Sequence, residues 1–355
     1  MADKILAGAV CVLILTSQPV WGGGNTASVT QFGARHAALI KQDQAQGASA
    51  LVVQKAGSDN QVSLYQSWVS AANVEVRQQG LGNQQVVRQA GTGHLAIVTV
   101  SGRNNANTSL PAAPETVFQA GTDQQSRLTV TGDGNAAYSY QTGSANQVSS
   151  TLGGSGNAVS VYQQGTSQVT GITLNGDSNT LEVTQHGSVH NLSLALDGAR
   201  NTVTSLQAGT THRADLSLIG NDNIVTLDQS GDALTVSEML QGDGNSSSIL
   251  QRGVVSNINL SIQGLGNTAT VVQGEVGAQG NQASIFQSGN NNGANISQTG
   301  GNNNVASIIQ NGDRNQASIR TVGSDNTVTI DQGGNDQSIS ISRTGSGNTI
   351  SITQR

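Results

Sequence analysis

Between Gln124 and Gln273 the chain repeats itself every 22 residues without slipping, and each period holds two related 11-residue halves. The first half ends on an aliphatic residue: Val130, Leu152, Leu174, Leu196, Leu218, Leu240 and Ile262. The second opens on Asn135, Asn157, Asn179, Asn201, Asn223, Asn245 and Asn267, and closes on Gln141, Gln163, Gln185, Gln207, Gln229, Gln251 and Gln273. A glycine stands three residues before each of these asparagines, at Gly132, Gly154, Gly176, Gly198, Gly220, Gly242 and Gly264. A repeat this strict requires an architecture in which each unit packs on the one before it.

Within each half the apolar residues alternate, as in Leu181 and Val183 or Ala269 and Val271. A period of two is that of a strand with one buried face. Helix is disfavoured, because glycine and asparagine return every 11 residues and the strand positions are rich in Val, Ile and Thr. A strand of about six residues and a turn of about five use up one half, so two facing halves make a flat coil. Stacking coils about 4.8 Å apart completes the backbone hydrogen bonding. The expected fold is all-β: a single elongated β-solenoid of about 15 coils, with two strands per 22-residue coil.

Composition agrees. Of 355 residues 45 are Gly, only 3 are Phe and 2 are Trp, too few large side chains for a conventional core of that length. The 15 basic and 21 acidic residues separate the chain from highly charged disordered sequences. A net charge of -6 offers no basic surface for nucleic acid.

Taken in order, residues 1–22 read as a secretory signal: Lys4 precedes an apolar run from Ile5 to Thr16, and cleavage is expected near Gly22. Cys11 lies inside it, so the mature chain would have no cysteine for disulfides or thiolate metal sites. Looser repeats fill 23–104, with 12-residue spacing at Gln54 and Gln66. An irregular segment, 105–118, contains Pro111 and Pro114 and is expected to be an edge, bulge or loop. Regular repeats fill 119–273. After a turn lengthened by three residues at Gly274–Gly280, repeats resume over 274–355, with Asn292, Gln298, Asn304 and Gln310 in the amide positions and Gly289 and Gly312 in the turns. Units begin directly after the signal, at Asn25, and run to Gln354, which leaves no room for capping structure and points to end-to-end recruitment of another copy.

The asparagine and glutamine of each half share the parity of the aliphatic pair and should point into the coil. A lone buried amide is costly. A column of amides can satisfy itself, each side-chain carbonyl accepting from the N–H of the next copy. Glycines such as Gly176, Gly198 and Gly220 are expected in tight turns. Most charges take outward or turn positions. Glu238, Arg343 and Glu115 do not, and a bulge or register shift is expected at each.

The spacing of Gln287, Gly289, Asn292, Ala294, Ile296 and Gln298, like that of Gln31, Gly33 and His36, resembles the repeat of curlins, the subunits of the bacterial extracellular amyloid called curli. The resemblance covers nearly the whole chain after the signal and marks it as an unusually long member. It implies secretion with outer-membrane and chaperone machinery, a cell-surface fibre (fimbrium) that polymerises with itself or a related curlin subunit, and roles in adhesion and biofilm matrix. It also implies ladders of inward amides at Gln78, Asn83 and Gln89, at Gln298, Asn304 and Gln310, and at Gln332 with Gln337.

No enzymatic constellation stands out. There is no nucleophile elbow, HExxH, phosphate loop or paired-cysteine motif, and Gly264-Leu265-Gly266 reads as a repeat turn. No cofactor is expected. Gly-Asp-Gly-Asn at 132–135 and 242–245 lacks the nonapeptide period of calcium-binding solenoids, and the outward threonines are too interrupted for an ice-binding ridge. His190 and His212, one period apart, have a spacing that suits a metal but are read as substitutes in the asparagine position. The competing functional reading is a surface adhesin or binding module that does not polymerise.

Overall fold

The structure is a computed structural model that describes residues 24–106, 115–275 and 277–355. The expected signal at 1–22 with Cys11, and Pro111 and Pro114 of the irregular segment, lie outside the described residues. All regular structure within them is β-strand, and it forms two compact units divided between Ser178 and Asn179.

In each unit the strands alternate between two parallel sheets, so a strand pairs with the second strand before it and the second after it. In the first unit, strands such as Gln125–Thr131 and Gln147–Gly153 build the first sheet, and Ala136–Ser144 and Ala158–Thr166 build the second. In the second unit, Asn191–Asp197, Arg213–Ile219 and Thr235–Gln241 belong to the first sheet, and Thr180–Ser188, Thr202–Thr210 and Ile224–Asp232 to the second. Two strands make one coil, and the 29 strands amount to about 15 coils. Both units are parallel β-solenoids.

The period explains the register. Because equivalent positions recur every 22 residues, Leu192, Leu194 and Leu196 pair with Ala214, Leu216 and Leu218, and the side chains stack as axial columns. Burial alternates along each strand, as in Thr180–Ser188, where Leu181, Val183 and Gln185 are buried between outward neighbours. The core is therefore a narrow seam between two sheets, filled by aliphatic side chains stacked on their own copies.

The expected bulges at Glu238 and Arg343 are absent. Glu238 pairs in register with Leu216 and Leu260 and is 2% exposed, and Arg343 pairs in register with Thr321. At Glu238 the continuous ladder on both sides outweighs the cost of one misfit side chain, whereas Arg343 sits in the last strand of its sheet and is paired on one side only. Glu115 lies just before strand Val117–Thr122, outside any ladder, and its carboxylate is 3.5 Å from the Arg88 guanidinium. Register shifts occur instead where the repeat is 12 residues long: Ala56 and Trp68 take up the extra length at φ 51° and 55°. Trp68 is turned outward at 72% exposure.

Pairing continues on both flanks of 107–114, since Ala106 bridges to Gln84 and Val117 pairs with Val87. The lengthened turn after Gln273 is closed by Ala278 N–H donating to Glu275 O at 3.0 Å, and Gln279 returns to bridge Val254.

Candidate functional site

The feature that distinguishes the interior from an ordinary aliphatic core is its set of axial amide columns. In the second sheet of the first unit, the side-chain N–H of each glutamine donates to the carbonyl of the next: Gln42 to Gln66 at 2.9 Å, Gln66 to Gln89 at 3.0 Å, Gln89 to Gln119 at 2.8 Å, Gln119 to Gln141 and Gln141 to Gln163 at 2.9 Å. The second unit has the same column, Gln185 to Gln207 at 2.7 Å, then Gln229, Gln251, Gln273 and Gln298 at 2.8–3.0 Å. The second amide hydrogen reaches across the seam, as from Gln141 Nε2 to Gln125 O at 2.9 Å. One glutamine thus ties its own sheet axially and the two sheets laterally.

The asparagines open the second-sheet strands and close the turns. Asn201 donates three hydrogen bonds: its backbone N–H to Asn179 Oδ1 at 2.9 Å, its Nδ2 to the same oxygen at 3.0 Å, and its Nδ2 also to Gly220 O at 2.8 Å. Asn223, Asn245, Asn267, Asn292 and Asn315 repeat the backbone bond at 2.9 Å. In the first unit, Asn135 donates to Asn105 Oδ1 at 2.8 Å and Asn157 to Asn135 Oδ1 at 3.0 Å. The asparagine amides of these columns are buried with their hydrogen-bonding groups met, because each meets a copy of itself.

The glycine three residues before each asparagine is required twice. Gly242 has φ 121°, and a Cβ there would lie 1.9 Å from the carbonyl oxygen of Gly264 in the next coil. That carbonyl oxygen is also the acceptor for Asn245 Nδ2 at 2.9 Å. Glycine spacing and asparagine spacing are therefore one device.

The first sheet changes character along the chain. It carries glutamines at Gln31, Gln54 and Gln78, joined at 2.6 and 2.9 Å, and again at Gln287, Gln310 and Gln332, joined at 2.9 Å. In the first unit the column continues from Gln78 through Val100, Val130, Leu152 and Leu174, and in the second unit Leu196, Leu218, Leu240 and Ile262 lead to Gln287. Asn304, Asn326 and the residues around them form a matching asparagine column there, with Asn304 N–H donating to Asn281 Oδ1 at 2.9 Å. Of the positions singled out by resemblance, Gln78, Asn83, Gln89, Gln298, Asn304 and Gln310 all face inward, and Gln337 N–H donates to Asn315 Oδ1 at 3.0 Å.

His190 and His212 stack face to face, 4.8 Å between ring centroids and 8° from parallel. His190 Nε2 lies 2.8 Å from His186 O and His212 Nε2 lies 2.9 Å from Ala208 O, so both carry their proton on Nε2. Their Nδ1 atoms accept backbone N–H groups of His212 and Leu234 at 3.3 Å. Both nitrogens of each ring are engaged in the turn. Burial pushes both imidazoles below their usual pKa.

Sequence reasoning did not foresee the residue just before each inward amide that opens a strand. It adopts the left-handed conformation at Arg200, Asp222, Arg314 and Asp336 (φ 57–59°), and Arg200 pairs with Asp222 and Arg314 with Asp336 at 2.7 Å, one coil apart. The charge complementarity at a 22-residue interval was the available signal.

A family model described as the curlin associated repeat matches residues 154–187, 301–334 and 323–355. These three segments carry the curlin associated repeat. No curated protein shows significant similarity to the chain. The matched segments contain Asn157, Gln163, Asn179, Gln185, Asn304, Gln310, Asn326 and Gln332, members of the amide columns just described.

Proposed function

We propose that this chain is a structural subunit of a secreted, self-assembling cross-β fibre at the bacterial surface, where the fibre serves adhesion and matrix formation. The observation that carries the reading is the set of in-register amide columns, whose donors and acceptors point along the stacking axis and recur from coil to coil, as from Gln185 to Gln298. A further copy stacked on a coil meets the same row of groups that the next coil of its own chain meets. Among the described residues, strand Thr26–Ala34 pairs on one side only, with Ser49–Ser58, and strand Thr349–Gln354 pairs on one side only, with Thr327–Gly333. Such edges are templates for another strand. The partner is a second copy or a related curlin-repeat chain. Export through the outer membrane and the role in adhesion rest on the family.

The test is the time course of assembly of the purified chain from Gly23 onward. The proposal expects a lag that preformed fibres abolish. A monomer that stays soluble at tens of micromolar, with or without seeds, contradicts it and favours a surface adhesin that does not polymerise.

A further inference from the structure

All four tyrosines of the chain lie on the second sheet of the first unit, although nothing in the repeat requires an aromatic there. Tyr65, Arg88, Phe118, Tyr140 and Tyr162 are register partners in one outward column. Phe118 stacks on Tyr140 at 4.8 Å and 9°, and Tyr140 stands 6.0 Å from Tyr162 with the rings tilted by 43°. Tyr138, two residues before Tyr140 in the same strand, meets Tyr162 edge-on at 5.2 Å.

We propose that this cluster is a site of oxidative modification, in which Tyr140 and Tyr162 couple to an intramolecular dityrosine that staples two consecutive coils. Each phenol gives one electron and one proton to a peroxidase charged with hydrogen peroxide. The two phenoxyl radicals join through ring carbons ortho to the hydroxyls, and each ring regains aromaticity by losing the proton at that carbon while its oxygen is reprotonated. One carbon–carbon bond forms, two hydrogen atoms leave the protein, and one peroxide becomes two waters.

Three observations select this pair. The parallel ladder holds the two residues one strand spacing apart, with the rings close enough for their ortho carbons to meet after small rotations about the side-chain bonds. Both are half-buried, so oxidant reaches them and protons leave. Tyr138 is 5% exposed, and burial raises the affinity of its phenol for the proton, which opposes oxidation coupled to proton loss. On the other side Phe118, which has no phenol, separates Tyr140 from Arg88 and Tyr65. Tyr65 is three strand spacings, about 14 Å, away. The only cysteine of the chain is Cys11, so beyond that residue tyrosine coupling supplies the covalent cross-link that disulfides supply elsewhere.

The test treats the purified chain with a peroxidase and hydrogen peroxide, in native buffer and in denaturant. Dityrosine fluorescence is read, and the link is mapped by mass spectrometry after digestion that cuts between the two strands. The folded monomer is expected to yield a Tyr140–Tyr162 link two hydrogens lighter. Tyr140→Phe and Tyr162→Phe should reduce the intramolecular signal to background and Tyr65→Phe should leave it intact; Phe118 in the same column shows that the fold accepts phenylalanine. Equal yield in denaturant, a link to Tyr65 or Tyr138, or links between chains alone would overturn the proposal.

Discussion

Gln298 and Thr321 are register partners in one buried column, and at this step the amide ladder stops: neither Gln298 Nε2 nor Thr321 Oγ1 has a hydrogen-bond partner. The threonine hydroxyl is too short to reach the amide above it. Thr321→Gln should extend the ladder and stabilise the second unit by about 1 kcal/mol, the net value of one such bond. Chemical denaturation of the variant against the parent checks this, with a higher midpoint and unchanged slope as the expected outcome.

In the middle of the ladder the reverse change is costly. Gln229 accepts from Gln207 at 2.8 Å and donates to Gln251 at 2.9 Å. Gln229→Leu keeps the volume but orphans one buried donor and one buried acceptor, for an expected loss of about 2–4 kcal/mol. The same denaturation experiment measures it. A variant as stable as the parent would show that the ladder is incidental to the fold.

Turn glycines divide into two kinds. Gly242→Ala places a Cβ against Gly264 O at 1.9 Å and forces alanine to φ 121°, for a loss of at least about 2 kcal/mol. Gly244, two residues on, has φ 65° and nothing within 4 Å of the Cβ position. Equivalent corners are held by Asn291 and Arg314. Gly244→Asn should therefore cost no more than about 1 kcal/mol. Thermal unfolding of the two variants side by side distinguishes them.

Two groups give the second unit opposite responses to pH. The folded state holds His190 and His212 below the usual histidine pKa, so as pH falls below about 6.5 the unfolded chain binds protons first and stability drops. Protonation at Nδ1 would also set a donor against a backbone N–H. Glu238 behaves the other way. Burial raises its pKa to about 7, with the Ser247 hydroxyl beside it acting against the shift, and neither carboxyl oxygen is in good hydrogen-bonding geometry with a partner. Its contribution is intact below the ordinary carboxylate range, near 4.5, and is lost as pH rises through about 7. Glu238→Leu should remove the loss on the alkaline side and gain about 1–3 kcal/mol at pH 8, since a buried unpaired polar group is replaced by a match to Leu216 and Leu260. Replacing both histidines by asparagine should flatten the acid side. Unfolding free energies from pH 4 to pH 9 report both slopes.

The solenoid was legible because its signal is repeated. Alternation around Leu181 and Val183, the glycine at Gly176 and the amides at Asn179 and Gln185 each say little once, but in-register copies leave one stacking solution. What could not be read was how misfits are absorbed. Glu238 suggested a bulge because a carboxylate resists burial, yet a parallel ladder is cooperative along its length, and the proton yields before the backbone does. Register shifts fell at Ala56 and Trp68, where the repeat gains a residue, a matter of spacing and not of polarity. The left-handed corners at Arg200 and Arg314 were hidden because local preference favours glycine or asparagine there, and the ion pair with Asp222 or Asp336 is visible only once coils are stacked.

In the proposed fibre, stacking of coils continues from one molecule to the next. X-ray diffraction from aligned fibres of the chain from Gly23 onward tests it most directly. Continuous stacking gives a meridional reflection at about 4.7–4.8 Å, the spacing of strands along the stacking axis, with an equatorial reflection near 10 Å from the two sheets. A preparation that keeps its β-sheet signal but gives no fibres, or fibres without the meridional spacing, would contradict it.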